Sequence, residues 1–78
     1  MFDFGDIGFT IIRGTFPCKW CDKAEDLLKE KGHSVEVQKL SMATLIERQA
    51  EQKHPTVPMI YHGVHFIGGF SELEGYLN

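Results

Sequence analysis

Seventy-eight residues, 42% of them hydrophobic and 24% charged, carry a formal charge of −3, which fits one small domain spanning 1–78 and leaves too little chain for a second core. A chain of this size buries only roughly 60% of the surface its unfolded form exposes, so an active site is expected on the surface. The eight Lys and Arg are scattered, with none of the polybasic runs of a nucleic-acid binder, and no apolar run approaches the roughly 20 residues that span a bilayer. Met1-Phe2-Asp3-Phe4 opens with an acid where a secretory leader would be basic. A cytoplasmic protein is expected, with neither nucleic acid nor membrane as partner.

The elements follow in order. Gly8-Phe9-Thr10-Ile11-Ile12 is short, β-branched and bounded by Gly5 and Gly14, as a buried strand is. From Cys21 to Lys31, Ala24, Leu27 and Leu28 recur at helical spacing among charged residues, and Gly32 follows where a C-terminal cap belongs. Ser34 to Gln38 alternates with period two and predicts a second strand. Met42, Leu45, Ile46 and Ala50 then share a helical face; Ser41 or Thr44 can cap its start, and His54-Pro55 stops it. Thr56–Tyr61 and Val64–Ile67, joined through His62-Gly63, are written as a hairpin. After Gly68-Gly69, a Ser-x-x-Glu box from Ser71 to Glu74 opens a last helix with Leu73, Tyr76 and Leu77 as its stripe. The order β-α-β-α-β-β-α implies an α/β fold, a mixed four-stranded sheet with helices on both faces.

The only two cysteines form Cys18-Lys19-Trp20-Cys21, between the first strand and the first helix. That junction places Cys18 at a helix N-terminus, where free N–H groups and the dipole favour a thiolate, the nucleophile of thiol–disulfide exchange. Cys18 is therefore read as the attacking residue. Cys21, one turn further in, is read as the resolving residue that strikes a mixed disulfide on Cys18. Half a zinc site is the competing chemistry, given His33, His54, His62 and His65, but no second Cys-x-x-Cys or His-x₃₋₅-His accompanies the pair. Two inert core cysteines would not need a charged and aromatic linker.

Cys18-Lys19-Trp20-Cys21, Thr56-Val57-Pro58 and Gly68-Gly69-Phe70-Ser71-Glu72 together resemble, in order and spacing, the glutaredoxins of the thioredoxin-like superfamily, particularly the short bacterial and bacteriophage dithiol members. The resemblance covers nearly the whole chain. It implies a cis Pro58 beside the cysteines, with Thr56, Val57 and Pro58 pairing to the cysteinyl part of glutathione as an added strand. It also implies that Gly69, Phe70, Ser71 and Glu72 receive the γ-glutamyl end, its carboxylate on the Ser71 and Glu72 amides and its ammonium near the Glu72 side chain, which stands where aspartate is more usual. Trp20 replaces the common tyrosine and would pack over the ligand; Lys19 replaces the common proline. Many relatives carry a basic residue three positions before the first cysteine for the glycyl carboxylate, and here that position is Thr15, so Arg13, Arg48, Gln49 or Lys53 are the candidate substitutes.

The resemblance thus implies a glutathione-dependent thiol–disulfide oxidoreductase, acting as a monomer without a metal. Disulfide-bearing or glutathionylated proteins would be its substrates, ribonucleotide reductase among them. The alternatives are a thioredoxin- or redoxin-like protein recharged by a flavoprotein reductase, and a metal or iron–sulfur binding module.

Overall fold

A computed structural model describes residues 8–78. The Met1-Phe2-Asp3-Phe4 opening and Gly5, the expected boundary of the first strand, lie outside these residues. The elements are β1 (Phe9–Gly14), α1 (Lys19–Glu30), β2 (Val35–Leu40), α2 (Met42–Gln52), β3 (Met59–His62), β4 (His65–Gly68) and α3 (Phe70–Leu77). They form a four-stranded sheet in the order β2-β1-β3-β4. β1 runs parallel to β2, with Ile11 opposite Val37, and antiparallel to β3, with Ile11 opposite Ile60. This is the expected thioredoxin-like glutaredoxin arrangement.

Period-two alternation along the central strands divides the apolar residues between two faces. On one face Phe9, Ile11 and Ile60 pack with Ala24 and Leu28 of α1 and Leu73 of α3. On the other, Ile12 and Met59 pack with Leu45 of α2. The sheet is therefore covered on both sides.

Several boundaries differ from the sequence reading, each for a local reason. β1 runs two residues past Ile12 because Arg13 is buried at 6% exposure, its charge met by partners on α1. α1 starts at Lys19, two residues before Cys21, because Cys18 itself is the N-cap. Ser41, not Thr44, caps α2, its Oγ accepting from the Thr44 amide at 3.4 Å. β3 begins at Met59, since Pro58 has no N–H to give to a ladder, and the hairpin turns at Gly63-Val64 with Gly63 at φ 63°. α3 starts at Phe70 with Gly69 as its N-cap, and it is Glu72, not Glu74, whose side chain returns to the cap. The Ser71–Glu74 box is thus replaced by half a box set two residues earlier, Glu72 accepting from the Gly69 amide while glycine has no side chain to return the bond.

Candidate active site

β1 ends at Gly14, where the absent Cβ leaves room for the Phe16 ring to fold back against the backbone. The loop delivers Cys18 to the N-terminus of α1. There the Cys18 sulfur accepts a hydrogen bond from the Cys21 amide at 3.2 Å, occupying the place a serine or aspartate oxygen usually takes in a cap. Cys18 and Cys21 are joined as a disulfide with their Cα atoms 5.3 Å apart. Cys18 is half-buried and Cys21 fully buried, so an incoming sulfur reaches Cys18 first. Helix N-termini stabilise negative charge, and this one has the Cys18 sulfur as its first acceptor.

Trp20, between the two cysteines in the chain, lines an open groove of about 280 Å³ together with His54, Thr56, Gly69, Phe70, Ser71 and Glu72. Trp20, half exposed, forms one wall with its ring tilted against Phe70 at 5.4 Å between centroids. The Lys23 ammonium sits 4.8 Å and the Lys19 ammonium 5.9 Å from the Trp20 ring centroid, within cation–π range. Gly69, at the end of the Gly68-Gly69 turn, also lines the groove. Gly68 adopts φ 128°, a conformation L side chains rarely take, and a Cβ there would fall 2.8 Å from the Glu72 side chain. Glycine lets Glu72 fold back so that its Oε1 accepts from the Gly69 amide at 2.7 Å. The backbone at Gly69 thereby faces the groove with no side chain to fill it.

Of the ten residues singled out from the sequence, Trp20, Thr56, Gly69, Phe70, Ser71 and Glu72 line this groove, and Cys18 and Cys21 flank it through Trp20, which stands between them in the chain. Val57 and Pro58 do not line it. The Val57–Pro58 bond is cis, as the resemblance implied, but Pro58 is fully buried and Val57 packs against the Ile12–Leu45–Met59 cluster.

Two residues stand out against the sequence reading. His54, read as a helix stop and as one of four histidines in the competing zinc reading, lines the groove: its Nε2 lies 3.3 Å from the Thr56 hydroxyl and its ring packs edge-on against Phe66. The sole hint in the sequence was its place in the same short loop as Thr56. Arg13, offered as a substitute for the missing basic residue at Thr15, is committed elsewhere. Its Nη1 donates to Asp22 at 2.8 Å and to Glu25 at 3.0 Å, and its Nη2 donates to the Phe16 carbonyl at 3.4 Å. The Asp22 hydrogen bond raises the guanidinium pKa above its ordinary value against the opposing effect of burial, and Glu25 adds to the rise. Arg13 therefore holds the site from beneath and does not meet a ligand. Arg48, Gln49 and Lys53 stay exposed or half-buried on and after α2. Lys53 and Gln49 border a second depression that also reaches His54.

Comparison with known proteins decides the family, since the glutaredoxin family model matches residues 11–67. The chain belongs to the glutaredoxin family. That match takes in the cysteine pair, the Thr56-Val57-Pro58 loop and the hairpin. The chain is also 40% identical over 60 residues to the hybrid peroxiredoxin hyPrx5 of Haemophilus influenzae, covering 76% of this chain but only 25% of that protein. Among solved structures, a wheat glutaredoxin superposes with a TM-score of 0.76 at 18% identity, covering 95% of this chain and 74% of that one. The holo form of glutaredoxin C1 from Populus tremula x tremuloides gives 0.73 at 22% identity, covering 95% and 71%. These two likenesses establish the glutaredoxin fold. Among the described residues no helix is long and apolar enough to cross a membrane.

Proposed function

We propose that this glutaredoxin-family chain is a glutathione-dependent thiol–disulfide oxidoreductase. The observation that carries the reading is the half-buried Cys18 sulfur at the N-terminus of α1, two residues before Trp20 in a groove that Gly69 and the start of α3 also line. In the reduced protein the Cys18 thiolate attacks the sulfur of a glutathionylated thiol. A Cys18–glutathione disulfide forms and the substrate thiolate leaves, taking up a proton. A second glutathione thiolate then attacks the glutathione sulfur, giving glutathione disulfide and releasing Cys18 as thiolate. With a protein disulfide as substrate, Cys18 forms the mixed disulfide and Cys21 resolves it, leaving the Cys18–Cys21 disulfide and a reduced product.

The groove suits the tripeptide. The first amides of α3, at Ser71 and Glu72, offer N–H groups and the positive end of a dipole to the γ-glutamyl carboxylate, and the Glu72 carboxylate faces its ammonium. Trp20 covers the cysteinyl part, with Thr56 on the other side and Val57 and Pro58 shaping the loop that carries it. With Arg13 engaged beneath the site, the glycyl carboxylate falls to Lys53 or Gln49 at the edge of α2. Protein acceptors are disulfide-bearing or glutathionylated proteins; ribonucleotide reductase is one candidate, and the hybrid peroxiredoxin relative adds a peroxiredoxin cysteine as another. The chemistry suits the reducing cytoplasm and a monomer.

The test is NADPH oxidation coupled through glutathione and glutathione reductase to a small disulfide substrate. Turnover abolished by Cys18→Ser and retained in part by Cys21→Ser is expected. No turnover by the wild type, with insulin disulfides still reduced by dithiothreitol-charged protein, would replace glutathione with a flavoprotein reductase as the electron source.

A further inference from the structure

Arg13 is the one buried charged residue among the described residues, and its three contacts are unusual in where they fall along the chain. The Phe16 carbonyl precedes the cysteine segment and the Asp22 carboxylate follows it directly, so one guanidinium grips both ends of the stretch Pro17–Cys21. Glu25, one turn further along α1, supplies the third contact and is itself only 19% exposed. The Arg13 backbone is held in β1 by its pairing with Lys39 of β2, so the grip refers the cysteine segment to the centre of the sheet. Arg13 Nε is buried without a hydrogen-bond partner, so the side chain is placed by these three contacts and not by full satisfaction of its donors.

We propose that Arg13 is a positioning residue for the redox pair: by clamping the segment at Phe16 and Asp22 it holds Cys18 and Cys21 in disulfide-forming register in the reduced protein. The proposal deepens the thiol–disulfide reading and concerns the pair's equilibrium, not its substrate. Two thiols held near each other behave as if at high effective concentration, which favours their disulfide over the separate thiols. Loosening either end of the segment lowers that concentration and shifts the balance toward the dithiol.

The balance is read from the reaction in which two molecules of glutathione reduce the Cys18–Cys21 disulfide to two thiols and become one glutathione disulfide. Wild type and variants are equilibrated in glutathione buffers of graded composition, approached from both directions, acid-quenched, alkylated and counted by mass. The end point is the same whether or not the protein binds glutathione, so a failure of the glutathione-enzyme reading leaves this test intact, and the reverse also holds. Arg13→Lys keeps the charge but cannot reach all three acceptors as a planar fork does. It is expected to lower the disulfide-forming constant by about threefold to tenfold.

Asp22 is 66% exposed, so its replacement removes no core packing, and folded Asp22 variants decide the matter even where Arg13→Lys does not fold. Asp22→Asn and Asp22→Ala lose the same charge, but only asparagine keeps an oxygen for Arg13. The alanine variant is expected to have a constant about threefold below that of the asparagine variant. Equal constants for the two Asp22 variants, or a folded Arg13→Lys protein with the wild-type constant, would reduce Arg13 to a stabilising ion pair and overturn the proposal.

Discussion

Glu72 is assigned two jobs, and the pair Glu72→Ala and Glu72→Gln separates them. In the fold its Oε1 accepts from the amide of buried Gly69 at 2.7 Å, a charge-assisted bond of a kind worth roughly 1.5–3 kcal/mol. Because the residue itself is exposed, the low end applies, and Glu72→Ala is expected to cost about 1.5 kcal/mol. For a domain of this size each kcal/mol lowers Tm by roughly 4–8 °C, so alanine should melt roughly 6–12 °C below wild type. Glutamine keeps the acceptor and loses only the favourable charge at a helix N-terminus, about 0.3–1 kcal/mol. Its melting point should fall about a fifth to two thirds as far. In the glutathione-coupled assay, by contrast, both variants should raise the apparent KM for glutathione, because both remove the anion that faces the γ-glutamyl ammonium. Melting is followed by far-UV circular dichroism. An alanine variant as stable as wild type would refute the capping role, and a glutamine variant with unchanged KM would refute the ligand role.

Trp20→Ala should raise the KM for glutathione severalfold with little loss of stability, since the ring is half exposed and its packing is with Phe70 across the groove; steady-state kinetics beside a thermal melt checks both parts. Leu28→Ala, at a site with no exposure in the α1 face of the core, should cost roughly 2–5 kcal/mol, enough to leave the native state barely populated in a urea titration. Burial raises the Tyr61 pKa above its ordinary value near 10, so the unfolded chain loses that proton first. Stability should therefore fall as pH rises past about 10, and Tyr61→Phe should flatten that part of the profile of denaturation midpoint against pH.

The elements were legible because their signals are local. Ala24, Leu27 and Leu28 mark α1 by spacing alone, and the strand alternation needs no partner to be read. The site was legible in part for the same reason: a cysteine at a strand–helix junction and a double glycine before a helix each carry their chemistry with them. What stayed hidden depends on residues distant in the chain. Arg13 read as a cation available to a ligand because its carboxylate partners lie 9 and 12 positions away, and nothing local announces that pairing. His54 read as a helix stop because its neighbour across the groove, Gly69, is brought to it only by the sheet. The last helix began two residues early because Glu72 had a closer amide to satisfy than the box from Ser71 to Glu74 supposed.

The central claim, that Cys18 is the sulfur that accepts glutathione, is tested most directly by trapping. Cys21→Ser protein, reduced and then mixed with glutathione disulfide, should gain one glutathionyl group, located on Cys18 by peptide mass analysis, whereas Cys18→Ser protein should stay largely unmodified because Cys21 is fully buried. Modification of Cys21 at a comparable rate, or no adduct on Cys18, would contradict the account.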